Sequence, residues 1–229
     1  MDAETRDILS RRQPGTEQLA QVDYVKAIKP DVVTLTIGGN DIRFPAIARS
    51  CVLDSVVPLL DNFVLSYLVT CPVDSNSMRL AEPRLGKRPS WDGLYDRLVK
   101  TYFAISKQQS ANGQLYVNSY PVPFDNPTHW KLTNRILQTC GPFSATEARQ
   151  ANAMSVRLGD TIYLAVQEAN RKLGKTSVHF VDWRPSVTAE VIAGRRQRVA
   201  YDSNGLCSSN PASDATMNGL IPPVRPPAG

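Results

Sequence analysis

Four consecutive residues, Gly38, Gly39, Asn40 and Asp41, have types and spacing suited to chemistry. They follow a buried-strand-like run, and ligands of α/β proteins bind outside the carboxyl ends of the strands. The glycines would let backbone approach a ligand closely, and Asp41 would hydrogen-bond local backbone to hold the turn. The Asn40 amide is a neutral donor that, aimed at a developing oxyanion, is typically worth about 3–4 kcal/mol. From the pattern alone, an ordinary Gly/Asn/Asp turn explains the segment equally well.

The elements that position this segment alternate between two hydrophobic periods. Three apolar runs predict strands: Asp31–Ile37, Gln114–Ser119 and Ser177–Asp182. Helical spacing of apolar residues predicts helices over Thr16–Ile28, over Trp91–Gln109 and from the Ser144/Glu147 capping box to Gly174. Helix and strand in alternation predict an α/β fold with right-handed crossovers and a parallel sheet. The first strand is apolar at nearly every position, which predicts that both of its faces are covered.

Two regions stand outside this alternation. The stretch from Ile42 to Ser90 is long and rich in proline, with a helix expected over Val52–Leu68, and such regions often shape a cleft. The tail Ser208–Gly229 holds five prolines and is expected to be disordered. The expected organisation is one domain over residues 1–207, followed by this tail.

The segment DVVTLTIGGND strongly resembles block III of the SGNH (GDSL-type) ester hydrolases. Four further features resemble the secreted Streptomyces-type and fungal branch of this family: Cys51, Tyr120-Pro121, Cys140 and Val181-Asp182. Upstream, Ala3–Leu9 resembles the end of block II. The resemblance spans roughly residues 3–185 and implies a three-layer α/β/α, flavodoxin-like fold. It further implies that Asn40 is an oxyanion-hole side chain, that Gly38 permits the tight turn, and that Cys51 pairs with Cys71 and Cys140 with Cys207.

Two of the motifs on which this family depends are absent from the sequence. There is no Gly-Asp-Ser nucleophile motif, and Asp182 is not followed by a histidine at the expected spacing. The two histidines present are interpreted as a surface residue, His129, and a structural strand residue, His179. A serine without a base is a poor nucleophile, so no nucleophile and no general base are assigned.

Two explanations stay open: a truncated gene product that begins inside block II, and a degenerate homologue. Either way the family's first strand is expected to be missing. Its loss would leave the strand at Val32–Ile37 with an unpaired edge and exposed apolar faces, which is an aggregation hazard. The 229-residue chain is therefore expected to be marginally stable or insoluble.

The composition of the chain argues against several kinds of partner and cofactor. The net charge of +5 comes from scattered basic residues, which argues against a nucleic-acid partner. No run reaches the ~20 apolar residues of a membrane span, and no leader peptide is expected in MDAETRDILSRRQ. The four cysteines form no CxxC pair, so no metal is expected, and their loop contexts favour two disulfides in an extracellular protein over four unrelated thiols.

The expected function is that of a carboxylic ester hydrolase acting on an acyl lipid or an acetylated sugar, with no cofactor. The chain itself is expected to be inactive. The alternative is a secreted binding protein that retains the cleft without the chemistry. A nucleotide-binding flavodoxin-like domain is disfavoured because no glycine-rich phosphate loop joins a strand to a helix. The sequence does not indicate the oligomeric state.

Overall fold

The computed structural model of the protein describes residues 4–9, 19–42, 93–140, 143–183, 190–192, 195–197 and 207. The helix expected over residues 52–68, the cysteines at 51 and 71, and the tail 208–229 lie outside the described residues. The helices are α1 (Thr5–Leu9), α2 (Gln21–Ile28), α3 (Leu94–Gln108), α4 (Leu132–Leu137) and α5 (Ala145–Leu173), with a 3₁₀ turn at Pro127–His129. The strands are β1 (Val32–Leu35), β2 (Gln114–Asn118), β3 (Thr139–Cys140), β4 (Phe143–Ser144), β5 (Val178–Val181), β6 (Glu190–Ile192) and β7 (Arg195–Gln197).

A parallel three-stranded sheet confirms the α/β class. Its strand order is β1-β2-β5, with Val33 opposite Leu115 and Leu115 opposite Val178. Each strand lies within the run predicted from sequence, and α3 and α5 connect them in the predicted alternation. The carboxyl ends of all three strands therefore meet at one edge of the sheet, which is where the Gly38–Asp41 segment lies.

The two faces of this sheet are not equally covered. Leu115, Val117 and Val178 are almost fully buried on one face, and α3 packs against β2. On the other face Val32 is 59% exposed and Tyr116 is 37% exposed. The prediction that β1 is covered on both faces was wrong. Among the described strands β1 pairs with β2 alone, so this edge strand has a neighbour on one side only.

Helix α5 follows its sequence signals closely. The backbone N–H of Ser144 donates to Glu147 at 2.7 Å and the Glu147 N–H donates to the Ser144 hydroxyl at 3.2 Å, which is the predicted capping box. Gly174 ends the helix in the left-handed region with φ +66°. The predicted apolar stripe is buried at Leu158, Ile162 and Val166.

Helix α2 is shorter than predicted and does not bury its apolar residues. It begins at Gln21, after Ala20, and ends at Ile28, where Lys29 caps it in the left-handed region. None of its residues is buried, and Ile28 is 72% exposed. Helical spacing of apolar residues does not by itself decide whether a helix has a layer to pack against.

The chain divides into two compact units, and α5 belongs partly to each. Unit 1 comprises residues 1–120 and 156–183 and contains the parallel sheet. Unit 2 comprises residues 121–155 and 184–229 and contains α4 and the β3-β4 and β6-β7 hairpins. Its core includes Trp130, whose indole N–H donates to the Asp125 carbonyl at 3.0 Å, and Phe124 against Phe143. The amide of Asn152 bonds both backbone groups of Phe124.

Candidate active site

The turn after β1 depends on a glycine at its first position. Gly38 has φ +116°, a conformation that side-chain-bearing residues rarely adopt. The N–H of Ile42 donates to the Gly38 carbonyl at 3.3 Å and closes the turn. A Cβ atom on Gly38 would lie 3.4 Å from the Leu158 side chain of α5 and 3.7 Å from Leu94 of α3. Because these are ordinary van der Waals distances, the backbone conformation is what favours glycine there.

The second glycine is fixed by a tyrosine from the neighbouring strand. The N–H of Gly39 donates to the hydroxyl of Tyr120 at 3.0 Å, and a Cβ on Gly39 would lie 3.0 Å from that phenol. Burial raises the pKa of Tyr120, the Gly39 N–H opposes this, and Asp41 raises the pKa further. Tyr120 is therefore a neutral phenol near pH 7 and serves as an acceptor that orients the turn. The sequence pointed to Tyr120-Pro121 only through the resemblance. The position of Tyr120 just after β2, at the same edge of the sheet as the turn, is the physical feature that could have identified it.

The Asp41 carboxylate is buried and connects the turn to α1 and α3. It accepts hydrogen bonds from the backbone N–H of Thr5 at 3.0 Å and from the Thr5 hydroxyl at 2.7 Å. The guanidinium Nε of Arg97 lies 3.3 Å from the same carboxylate. A buried carboxylate is tolerated when donors and an opposite charge compensate it. Asp41 therefore fixes the turn through contacts with residues distant in sequence.

Behind the turn lies a second tyrosine, Tyr102 of α3, which is fully buried. Its pKa is raised well above 10.0, first by burial and then by Tyr120 and Asp41. Among the described residues its hydroxyl has no hydrogen-bond partner. The turn is thus backed by one buried carboxylate and by two phenols whose pKa values are raised.

Asn40 lies between the two fixed residues Gly39 and Asp41 and is half-buried. Tyr120 holds the residue before it, and Thr5 and Arg97 hold the residue after it. Its backbone is consequently fixed from both sides, and a fixed backbone is one requirement of the preorganisation by which a carboxamide stabilises an oxyanion.

A second polar cluster joins the ends of the three strands. The buried Ser119 hydroxyl donates to Asp182 at 3.2 Å and accepts the Trp183 N–H at 2.7 Å. The amide of Asn118 donates to the Thr36 hydroxyl and accepts from the Trp183 indole, both at 3.2 Å. These hydrogen bonds join the strand ends to one another. Ser119 is paired with a carboxylate and not with an imidazole, so the pair lacks the base that activates a serine.

The two histidines of the chain lie in different elements. His179 lies in β5, where its Nε2 is 2.6 Å from the Gln114 side-chain oxygen and its ring stacks on Tyr116 at 4.9 Å. These contacts on the sheet fit a structural role. His129 ends the 3₁₀ turn of unit 2.

A disulfide joins Cys140 to Cys207, with 5.7 Å between their Cα atoms. This is the pairing that the family resemblance implies for these two residues. The Lys131 N–H also donates to the Cys207 carbonyl at 3.1 Å, so Cys207 is bonded on both sides of α4.

In the part of the chain that the structure describes, no helix has both the length and the hydropathy to cross a bilayer. Comparison of the chain with protein-family models, with curated protein sequences and with solved structures finds no match.

Proposed function

We propose that the Gly38–Asp41 turn is the oxyanion-binding half of an SGNH-type carboxylic ester hydrolase site, and that this chain binds esters without hydrolysing them. One observation supports it above the others. The turn at the carboxyl end of β1 is held by Tyr120 on one side of Asn40 and by Thr5 and Arg97 on the other. An ordinary surface turn needs no such support.

In this proposal the carbonyl oxygen of the ester points to the Asn40 carboxamide, and the glycines let the acyl group approach the backbone. Gly38 supplies the turn, and Asp41 and Tyr120 keep it rigid. The substrate is an acyl lipid or an acetylated sugar of an extracellular setting, and the complete fold is the three-layer α/β/α sandwich of that family. The proposed lack of turnover concerns these 229 residues alone, which contain neither Gly-Asp-Ser nor a histidine at the family spacing after Asp182.

The test measures binding and hydrolysis of p-nitrophenyl butyrate by the wild-type chain, by Asn40→Ala and by Asn112→Ala. Asn112 is an exposed loop residue and provides a matched control. We expect nitrophenol release at the buffer rate for all three proteins. Ester binding should weaken about tenfold for Asn40→Ala only, since one hydrogen bond is worth about 1.4 kcal/mol.

Wild-type hydrolysis that falls on Asn40→Ala would retain the oxyanion role and refute the loss of turnover. Ester binding that is undetectable, or equal in the two variants, would refute the site itself.

The alternative is a non-catalytic secreted binding protein that retains the cleft and binds a sugar or a lipid. It is supported by the hydrogen bonds of Ser119 to Asp182 and of His179 to Gln114, which give both side chains structural partners. Sequencing the full-length transcript across both ends of the reading frame separates a truncated esterase from a degenerate homologue. An upstream Gly-Asp-Ser segment with a downstream histidine would make the complete product an active esterase. A transcript without them would make the protein a degenerate member, for which ligand binding is the relevant measurement.

A further inference from the structure

Helix α4 exposes the apolar side chains that a helix normally buries. Leu132 is 62% exposed, Ile136 is 71% exposed and Leu137 is 48% exposed. We call these three residues the α4 ridge. Exposed apolar residues are normal when they are scattered, but three large ones on six consecutive residues form a patch, and such patches mark interaction sites.

The helical geometry shows that the ridge faces away from the protein. At 3.6 residues per turn, Leu132 and Ile136 lie about 40° apart, Leu137 lies about 100° beyond Ile136, and Asn134 lies outside the broad face that these three residues form. Asn134 is the least exposed residue of α4, and no residue of the helix is buried. The helix is therefore inverted, with a polar side chain toward the protein and aliphatic side chains toward water. Folding gains nothing from this arrangement, because the hydrophobic effect favours the opposite one.

The ridge is held firmly although it is exposed. The residue before the helix, Lys131, donates its N–H to Cys207, and Trp130 next to it is 1% exposed. At the other end Gln138 caps the helix and its carbonyl accepts the Ala145 N–H at 2.8 Å. The disulfide of Cys140 follows two residues later. A presented, preorganised apolar ridge loses little conformational freedom when it is covered.

The charges around the ridge indicate what covers it. Lys131 and Arg135 flank the aliphatic side chains and are exposed. Of the other charged residues of unit 2 whose side chains the structure describes, Arg149 is exposed, whereas Asp125 and Glu147 are buried. The combination of aliphatic side chains with flanking cations is the composition of helices that lie in the surface of anionic membranes. Protein interfaces instead favour aromatic residues and disfavour lysine, and the ridge has no aromatic residue.

We propose that the α4 ridge docks unit 2 onto an anionic lipid surface, with Leu132, Ile136 and Leu137 in the acyl boundary and Lys131 and Arg135 at the phosphates. The attachment is peripheral and reversible, because three side chains bury far less apolar area than a spanning helix. It is independent of the ester-binding site, so either proposal can fail without the other.

The experiment is flotation of the purified full chain on a density gradient with vesicles, which separates bound protein from aggregates. The vesicles contain either phosphatidylcholine alone or phosphatidylcholine with about 30% phosphatidylglycerol, a mole fraction chosen to give a strongly negative surface. We expect flotation with the anionic vesicles only, and its loss at high salt because the headgroup attraction is screened.

Three variants locate the contact. Ile136→Ser should lower the partition coefficient about tenfold because it removes an apolar group from the boundary. Arg135→Gln should lower it about fivefold, since each basic residue near an anionic surface is worth about 1 kcal/mol. Ile28→Ser is the matched control, because Ile28 is 72% exposed on α2 of unit 1, and it should leave the partition coefficient unchanged. Far-UV circular dichroism checks that all three remain folded.

The proposal is overturned if the wild-type chain does not float with anionic vesicles, or if Ile28→Ser weakens flotation as much as Ile136→Ser. It is also overturned if light scattering shows a dimer that Ile136→Ser dissociates, because the ridge would then be covered by a second copy of the chain.

Discussion

The Gly38–Asp41 turn and the α4 ridge differ in the burial of their side chains. In the turn, Asp41 is buried among Thr5 and Arg97, and the glycines are packed against Leu158 and Tyr120. In the ridge, aliphatic side chains project into water from a helix whose hydrogen bonds to other described elements lie at its two ends. The turn is thus positioned by tertiary contacts, and changing those contacts should affect stability. The ridge makes few contacts within the chain, and changing it should affect only what the chain binds.

The same substitution on two helices provides the sharpest contrast. Ile162 on α5 is fully buried, and Ile136 on α4 is 71% exposed. We expect Ile162→Ala to lower the free energy of unfolding by about 2–5 kcal/mol because it leaves a cavity. Ile136→Ala should change it by about 0.5 kcal/mol or less, as an exposed substitution usually does. Urea denaturation followed by circular dichroism measures both values. Equal losses would show that the ridge is part of a core, and the distinction between the two regions would then fail.

The buried carboxylate of the turn is the next most costly group to change. Asp41→Ala removes the acceptor of two Thr5 hydrogen bonds and the partner of Arg97. Two hydrogen bonds to a charged group predict a loss of about 3 kcal/mol in the free energy of unfolding. Asp96→Ala, at a less buried position one residue before Arg97, is the control and should cost much less. A small effect of Asp41→Ala on urea denaturation would mean that the turn is held without its carboxylate.

Local signals in the sequence predicted some of these features, and non-local contacts account for those it missed. The α5 capping box was predicted because Ser144 and Glu147 are three residues apart and bond each other's backbone. The contact of Asp41 with Thr5 spans 36 residues, and no local pattern encodes it. Tyr120 is 81 residues from Gly39, so its role depends on the sheet register. The covered faces expected for β1 were wrong for the same reason, because an apolar strand pattern does not specify which layers are present.

The smallest expected effect concerns the Tyr102 hydroxyl, a buried group behind the turn that has no hydrogen-bond partner among the described residues. Burial raises the Tyr102 pKa well above 10.0, so the folded chain retains a proton that the unfolded chain releases as pH rises past that value. The contribution of the protonated Tyr102 to stability is therefore fully present below pH 10 and is lost at higher pH.

Tyr102→Phe has no phenol to ionise and should keep more of its thermal stability than the wild-type chain between pH 9 and 11. At pH 7 it should match or exceed the wild type by about 1 kcal/mol, because an unpaired buried hydroxyl is removed. Tyr24→Phe, at an exposed position on α2, is the control for general alkaline effects. If Tyr102→Phe is less stable to heat than the wild-type chain at pH 7, the hydroxyl is hydrogen-bonded in solution. The turn region would then have one more tertiary contact, and its difference from the α4 ridge would be larger.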